Sequence, residues 1–283
     1  GPRVFVERID ISGNVRTMDK VIRREFQLIE GDAFNAAKLR RSRKRLQRLD
    51  FFEKVSVSKI PGSTSDKAIV NVAVEEKSTG TISLGAGYSS SLGPIGEISL
   101  RERNFLGRGQ NLDLSFMLAA ERSQVDFSYT EPYFLDRGIT AGLDVFHVRQ
   151  DLQDLSSINT QRTGFRLRTG YRVLEDVSQR WSYLAKKADV TQVSNDAAAL
   201  IKDQAGDEFT SQITHAVTYD TRDSRINPTE GASAELETDL AGLGGSVHHL
   251  RNSFKGSLHY PLLEDVIFST GDKIGYIVGL GDD

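Results

Sequence analysis

From about Thr81 to the last residue, the chain alternates between apolar and polar side chains with a period of two. The first such segment places Ile82, Leu84, Ala86 and Tyr88 at every second position, with threonine, serine and glycine between them. Residues two apart in a β-strand share a face, so the alternation predicts long strands with one apolar and one polar face. An amphipathic helix would repeat its apolar residues every three or four positions instead. Most of the chain is therefore predicted to be a β-sheet.

Two of the predicted strands carry charges on their polar face. These charges are Arg166, Arg168 and Arg172 in one strand and Glu235, Glu237 and Asp239 in another. A soluble sandwich packs its apolar face on a second sheet and turns its polar face to water. A membrane barrel turns its apolar face to lipid and its charges to a wet lumen. Because charges at this spacing do not pack into an apolar core, the two ladders favour the barrel, with these six residues facing its lumen.

The composition removes several classes of protein. No apolar run approaches the roughly 18 to 20 residues of a membrane-spanning helix, which excludes a helical membrane protein. The net charge of −3 gives no sign of nucleic-acid binding, and the absence of cysteine excludes disulfides and thiolate metal sites. No signal peptide is visible, which predicts either a cytosolic protein or a mature exported fragment.

Eleven strands are predicted after Ser78. Their approximate ranges are 81–88, 95–104, 110–120, 123–131, 139–149, 160–173, 179–193, 209–220, 232–241, 248–260 and 266–281. Lengths of roughly 8 to 15 residues suit tilted strands that cross a bilayer, which need about 9 to 11 residues. The connections near residues 105, 175 and 263 are short, and those near 155 and 200 are long and polar. One end with tight turns and another with longer loops is typical of outer-membrane barrels.

Residues 1–78 form a separate α+β module, predicted as strand, helix, helix, strand, strand. In the first helix, Thr17 is expected to be the N-cap and Gly31 the C′ residue. Its inward stripe is predicted to contain Met18, Val21, Ile22, Phe26 and Ile29. Asn35 is expected to cap the second helix, whose inward residues are predicted to be Leu39, Leu46 and Leu49. Residues 79–283 are predicted to form the second domain.

The second helix is unusually basic. Its cations are Lys38, Arg40, Arg41, Arg43, Lys44, Arg45 and Arg48. Such a run is usually a solvated face. The alternative is a docking surface for an acidic partner or for anionic headgroups near a membrane. The sequence leaves both open.

Short motifs occur in a fixed order along nearly the whole chain. The module contains Ile11-Ser12-Gly13-Asn14, Val21-Ile22-Arg23-Arg24-Glu25, Glu30-Gly31-Asp32, Leu49-Asp50-Phe51-Phe52 and Val70-x-Val72-x-Val74-x-Glu76. The strand region contains Asn104-Phe105-Leu106-Gly107-Arg108-Gly109, Glu131-Pro132-Tyr133-Phe134, Tyr219-Asp220-Thr221-Arg222-Asp223 and Pro228-x-x-Gly231. In this order they resemble the family of outer-membrane assembly and secretion proteins that carry POTRA modules before a β-barrel. Within it, they resemble the BamA branch more than the TamA branch.

The resemblance implies a barrel-proximal POTRA domain in the periplasm and an antiparallel transmembrane β-barrel in the bacterial outer membrane. The family barrel has sixteen strands and several POTRA modules, so eleven strands and one module predict a fragment. The implied function is the insertion of unfolded outer-membrane protein clients into the lipid bilayer, without nucleic acid, cofactor or metal. A TamA-like assembly factor or a two-partner secretion channel is the alternative, and a soluble sandwich is a third.

The resemblance also implies two sites. The first strand would form a lateral gate that pairs with client strands, through Thr81, Ile82, Ser83, Leu84, Gly85, Ala86, Gly87 and Tyr88. Two glycines weaken a strand, which gives a physical reason for a seam that opens, although they would also relieve crowding or allow curvature. The second site is a contact for a BamD-like lipoprotein, and other assembly-machine subunits are further partners. Its residues would be Glu30, Arg23 and Arg24, and Glu30 near a helix C-terminus would have little structural reason to be there.

No enzyme site is predicted. His147, His215, His248, His249 and His259 lack the spacing of metal ligands, and no Gly-rich phosphate loop or nucleophile elbow is present. The Asp220-Thr221-Arg222-Asp223 turn is predicted to be an ion-paired corner, not an acid/base pair.

Overall fold

The N-terminal module folds as a three-stranded sheet with two helices, in the predicted order β-α-α-β-β. The computed structural model describes residues 3–153, 158–193, 199–202, 205–263 and 266–281. The module consists of β1 (Phe5–Ser12), α1 (Asp19–Arg23), α2 (Ala36–Arg48), β2 (Phe52–Pro61) and β3 (Lys67–Glu76). The central strand β3 runs parallel to β1 and antiparallel to β2. Alternate residues of β3 are buried, as the period of two predicts.

The module has a closed hydrophobic core. Its fully buried members come from both helices, the loop between them and β3, and include Val21, Ile22, Leu28, Leu46 and Val70. Asn35 caps α2 as predicted, since its side chain accepts hydrogen bonds from the backbone N–H of Ala37 and Lys38.

The prediction for the first helix is wrong in its length, its cap and part of its stripe. Helix α1 ends at Arg23, its N-cap position is Met18, and Ile29 is 67% exposed while Leu28 is buried. The backbone of residues 31–34 hydrogen-bonds instead to the open edge of β1, through Gly31 N–H to Val6 O and Phe34 N–H to Val4 O. The backbone groups at the edge of β1 need hydrogen-bond partners, and residues 31–34 supply them in place of the longer helix that the periodicity predicted. Gly31 still has positive φ, at +94°, but it lies in this loop and not after a helix.

The eleven predicted strands are confirmed as one antiparallel sheet in which each strand lies beside the next in sequence. They are β4 (Gly80–Ser89), β5 (Gly93–Phe105), β6 (Gln110–Ala119), β7 (Arg122–Glu131), β8 (Ile139–Asp151), β9 (Asn159–Arg172), β10 (Val177–Thr191), β11 (Gly206–Asp220), β12 (Gly231–Ala241), β13 (His249–Leu263) and β14 (Val266–Gly279). A 3₁₀ turn covers Phe134–Asp136, and a short helix α3 covers Ala199–Lys202. Strands β4 and β14 are the first and last in the sheet order.

The predicted asymmetry of the connections is only partly correct. The β9–β10 connection is short and the connections after β8 and β10 are long, as predicted. The β4–β5 and β6–β7 turns are short as well, although they lie at the same end of the sheet as the two long loops. The β11–β12 connection is long at the opposite end, because the Asp220 motif forms an ordered loop there.

The residues of the chain divide into two units. The first combines Gly1–Ile82 with Leu100–Leu112, so it includes the β5–β6 turn together with the module; the second contains Ser83–Ser99 and Asp113–Asp283. The predicted domain boundary near residue 78 stays a prediction. Among the described residues, no helix has the length and apolar character needed to cross a membrane.

Candidate functional site

Strand β4 forms one border of the large sheet. Within the described part of the chain its only strand neighbour is β5, so its other side presents unpaired backbone N–H and C=O groups. All of its side chains except the last are exposed, including Ile82, Leu84 and Tyr88. A strand of this kind is a template for pairing with another strand. The predicted client-pairing residues, 81–88, therefore lie together along this border.

Packing against the described residues does not require glycine at Gly85 or Gly87 of β4. A Cβ atom added to Gly87 would meet no atom within 4 Å, and one added to Gly85 would lie 3.7 Å from the Cβ of Glu97. Neither glycine has positive φ. Among the described residues, relief of crowding therefore gives no reason for this pair. Each glycine still destabilises the strand conformation by about 0.5 to 1 kcal/mol relative to alanine, because glycine loses more conformational entropy on folding. This weakens the pairing of β4 with any neighbouring strand.

The six predicted lumen charges share one face of the sheet. Arg166 pairs with Leu184, and Leu184 pairs with Gln212. Every second residue of β11 after Gln212 shares that face, and these residues pair with Asp239, Glu237 and Glu235. Among the described residues, no arginine of the first ladder lies within 4.0 Å of an acid of the second. Arg168 Nε instead lies 2.7 Å from Asp144 Oδ2, and Arg180 lies 3.5 Å from both Glu235 and Glu237.

Asp239 is the most buried charge of this face. It accepts a hydrogen bond from Thr214 Oγ1 at 2.5 Å and from Arg251 Nε at 2.6 Å. Arg251 also lies 3.7 Å from Glu237, so one arginine joins two acids of the ladder. Sequence reasoning missed Asp144, Arg180 and Arg251, because which residues face each other across strands depends on the register. Arg166 and Arg172 are exposed and have no carboxylate within 4.0 Å among the described residues.

The opposite face of the sheet is apolar and lies open. On this face, Leu167, Leu236, Phe254 and Ile274 are 49%, 52%, 44% and 69% exposed. Every member of the buried hydrophobic cluster belongs to the N-terminal module. In the described chain no second protein layer covers these residues, which is the arrangement expected of a lipid-facing surface and not of a sandwich.

A polar clamp joins the β5–β6 turn to the module within the first unit. It consists of Glu76, Thr17, Asn104 and the backbone of Gly107 and Gly109. Asn104 Nδ2 donates to Thr17 Oγ1 at 2.8 Å and Asn104 Oδ1 accepts from Gly109 N–H at 2.7 Å, while Met18 N–H donates to Gly107 O at 2.9 Å. A Cβ at Gly107 would lie 1.9 Å from Arg16 O, so the turn approaches too closely for any other residue.

Glu76 orders the loop that the clamp holds. Its carboxylate accepts hydrogen bonds from the backbone N–H of Val15, Arg16 and Thr17, at 3.2, 2.9 and 2.7 Å. Partial burial acts to raise the pKa of Glu76, but the hydrogen bonds from Thr17, Arg16 and Val15 outweigh it and hold that pKa below its ordinary value. Thr17 was predicted as a helix cap; the residue is 3% exposed, and its hydroxyl accepts a hydrogen bond from Asn104 instead.

The predicted lipoprotein-contact residues also serve the module itself. Glu30 Oε1 accepts from Ile9 N–H at 3.1 Å, and Arg23 Nη2 donates to Ile9 O at 3.0 Å. The two side chains lie 3.3 Å apart, so together they cover the edge backbone of β1. Glu30 therefore has a structural role, contrary to expectation, and it lies well beyond the end of α1 at Arg23. Arg24 is largely covered and lies beside Gly109.

The cationic face of α2 is exposed. The face comprises Lys38, Arg40, Arg41, Arg43, Lys44, Arg45 and Arg48, and none of them has a carboxylate within 4.0 Å among the described residues. Neighbouring acids bind other cations, as Glu75 binds Lys54 at 2.8 Å. Like charges four residues apart, such as Arg40 and Lys44, destabilise a helix by about 0.2 to 0.5 kcal/mol per pair. The first turn of α2 contains no acid to offset this repulsion.

The Asp220 motif forms the ion-paired corner that was predicted. Asp220 binds Arg222 at 2.8 Å and lies 3.4 Å from Arg225. Asp223 accepts from the hydroxyl and the backbone N–H of Thr229 and from Glu230 N–H, and these bonds hold the pKa of Asp223 far below its ordinary value. The described residues contain no group of three His, Cys, Asp or Glu side chains that could hold a metal ion.

Comparison with known proteins assigns a family to both parts of the chain. Residues 104–283 match the model of the Omp85 superfamily domain, and residues 4–77 match the POTRA model, described as surface antigen variable number repeat. The outer membrane protein assembly factor BamA of Nitratidesulfovibrio vulgaris is 32% identical over 99% of this chain and 36% of its own length. The BamA of Neorickettsia risticii is 31% identical over 96% of this chain and 37% of its own length.

A solved structure has the same fold. The crystal structure of BamA from Haemophilus ducreyi lacking POTRA domains 1–3 superposes with a TM-score of 0.78 and 23% identity, over 99% of this chain and 57% of that one. The chain thus spans little more than a third of the length of the curated relatives above. The predicted arrangement of a POTRA module followed by the barrel region of this family is confirmed.

Proposed function

The chain belongs to the Omp85 superfamily, and we propose that it assembles β-barrel proteins into the outer membrane by pairing client strands with β4. Relatives named as outer membrane protein assembly factors support the general activity and the location. The observation that carries the mechanism is β4 itself, an exposed border strand with two glycines that its packing does not require.

Pairing at β4 needs no covalent chemistry. A client strand arriving beside β4 exchanges backbone hydrogen bonds with it, as any added strand does at a sheet edge. In lipid an unpaired N–H or C=O group costs several kcal/mol, so both strands gain from the pairing. A border strand weakened by Gly85 and Gly87 is more easily released when the next strand of the client replaces it. The module would then lie in the periplasm, at the end of the sheet where β4 begins.

Single-cysteine cross-linking tests the gate. Because the chain contains no cysteine, Ser83→Cys on β4 gives one defined position. Ser182→Cys is the matched control, since β10 pairs on both sides with β9 and β11. With a folding outer-membrane client that carries its own cysteine, we expect disulfide adducts severalfold more often from position 83 than from position 182. Equal frequencies would remove β4 as the client-pairing strand.

The glycines can be tested separately from the location of the gate. Gly87→Val adds a side chain into open space and raises strand propensity. We expect the variant to fold, to form client adducts at position 83, and to release clients more slowly than the wild type. The same turnover as the wild type would show that the glycines do not weaken the seam.

We also propose that Arg23 and Glu30 lie in the contact with a BamD-like lipoprotein, whereas Arg24, the third residue predicted for this contact, is largely covered. Arg23 and Glu30 are about half exposed, at 44% and 50%, so a partner can reach them while they cover β1. Glu30→Gln is expected to weaken binding of the purified lipoprotein in a pull-down. The control is Glu75→Gln, which removes another exposed, ion-paired acid of the module. Equal binding by both variants would contradict this contact.

A further inference from the structure

The cationic face of α2 lacks a function in the mechanism above. Its seven side chains project from the module, and its inward residues Leu39 and Leu46 are buried in the core. No large apolar residue is exposed on α2, so the helix has nothing to insert into a bilayer. Any ligand of this face must therefore be held by charge. Arginine, which supplies five of the seven cations, binds phosphate and carboxylate groups with two parallel hydrogen bonds.

The two ends of α2 lie at opposite ends of the module. The helix begins next to Phe34, whose N–H donates to Val4 O, and Phe5 pairs with Lys67 at the start of β3. The helix ends next to Asp50, whose carboxylate binds Lys77 and Arg103 at 2.5 Å each. Lys77 directly follows β3, and β4 begins at Gly80.

The C-terminal end of α2 is therefore fixed beside the strand ends of the first unit. Lys44, Arg45 and Arg48 lie within about 6 Å of that end along the helix axis, whereas Lys38 lies about 15 Å from Arg48. Electrostatic attraction at physiological salt extends only about 8 Å. A charged surface at the level of the strand ends would thus act mainly on the C-terminal three cations.

We propose that the cationic face of α2 binds the phosphates of anionic phospholipid headgroups beside the strand ends, with Lys44, Arg45 and Arg48 contributing most. An acidic protein surface is the competing occupant. The membrane is favoured because the chain itself places this end of α2 beside the first strands of the sheet, and because charge without apolar insertion suits a headgroup layer. The proposal depends on the membrane location of the strands but not on client pairing at β4.

Headgroup proximity can be measured with a label on α2. Gln47 is exposed among the cations, so Gln47→Cys carries a single fluorophore in this cysteine-free chain. The protein is reconstituted in nanodiscs of phosphatidylcholine with or without phosphatidylglycerol, with a quencher on a small fraction of headgroups. We expect strong quenching only with phosphatidylglycerol, and its loss in 1 M salt, where attraction extends about 3 Å.

Two matched variants test the position of the contact. Lys44, Arg45 and Arg48 are replaced by glutamine in one, and Lys38, Arg40 and Arg41 in the other, so each loses one lysine and two arginines. We expect the first to lower the ratio of headgroup-bound to free label by about tenfold or more, since each cation near a charged surface contributes severalfold. The second is expected to lower it less than threefold. Thermal unfolding of both checks that the module still folds.

Three results would overturn the proposal. Equal quenching with and without phosphatidylglycerol would exclude the phospholipid, and equal loss in the two variants would exclude contact at the strand ends. Absence of quenching together with protection of the label by a purified acidic assembly subunit would assign the face to a protein. Loss of client adducts at position 83 with unchanged quenching would contradict only the strand-pairing mechanism.

Discussion

The module and the large sheet use the same period of two for opposite purposes. In β3 of the module, Val70, Val72 and Val74 enter a core that the protein closes with its own helices. In the large sheet, Leu167 and Leu236 follow the same alternation but remain half exposed. The free energy that stabilises the module comes from its own side chains. The corresponding free energy of the sheet depends on the solvent that covers its apolar face, which the proposed location makes lipid.

The two apolar surfaces should respond differently to truncation of a leucine. Leu46→Ala leaves a cavity in the closed core, where such changes cost about 2 to 5 kcal/mol. Leu236→Ala removes the same atoms from an open face, where lipid or detergent fills the space, and should cost less than half as much. Urea unfolding in detergent, followed by tryptophan fluorescence for the sheet and by amide exchange for the module, measures both. Similar losses would mean that protein covers Leu236.

How much of this could be read from the sequence depends on the range of the interactions involved. The strand count, the α2 cap and the ion-paired corner at Asp220 are local, and all three were predicted correctly. The end of α1 was predicted wrongly, because the backbone of residues 31–34 pairs with the distant strand β1. The partners of the lumen charges depend on register across several strands, so Asp144, Arg180 and Arg251 gave no signal.

The clamp shows the same limit at the candidate site. The sequence marked Asn104 as part of a family motif and Thr17 as a helix cap. It did not predict the hydrogen bond between them, because the two residues are 87 positions apart in the chain. The border position of β4 followed from its being the first strand. Only the structure shows that no described residue crowds Gly85 or Gly87.

A lysine introduced on the apolar face of the sheet should cost more folding free energy than one introduced on the polar face. Leu236→Lys places an ammonium on the apolar face and should cost about 2 to 4 kcal/mol in phospholipid vesicles if the site is near the bilayer centre. Ser253→Lys is the control, because Ser253 pairs with Glu237 on the polar face and the new lysine gains an acidic neighbour. Folding yield across a urea series should fall for the first and stay near wild type for the second. The reverse order would exchange the lipid and lumen faces.

Loss of a hydrogen-bonded side chain from the clamp should cost more stability than the same loss on the open apolar face. Asn104 is 8% exposed and uses both its amide nitrogen and its oxygen. Asn104→Ala leaves Gly109 N–H and Thr17 Oγ1 without these partners and should cost about 1 to 3 kcal/mol. Asn252→Ala is the control on the apolar face, where the side chain accepts a single bond from Thr238. Amide exchange should rise around residues 13–18 and 105–109 only for Asn104→Ala. A rise of the same size in the control would show that the clamp has no special role.

The smallest expected effect is a pH dependence confined to the module. The pKa of Glu76 is lower in the folded chain than in the unfolded one, so its hydrogen bonds to Val15, Arg16 and Thr17 stabilise the fold fully above the unfolded pKa, which is about 4.3. As the pH falls from there through the folded pKa, the carboxylate takes up a proton and that contribution is lost. Amide exchange at Val15, Arg16 and Thr17 should therefore accelerate below about pH 4, relative to that expected from intrinsic chemistry alone. In Glu76→Gln the acceleration should be absent, since the amide does not titrate in this range. If the variant kept the wild-type pH profile, another carboxylate would be holding the loop.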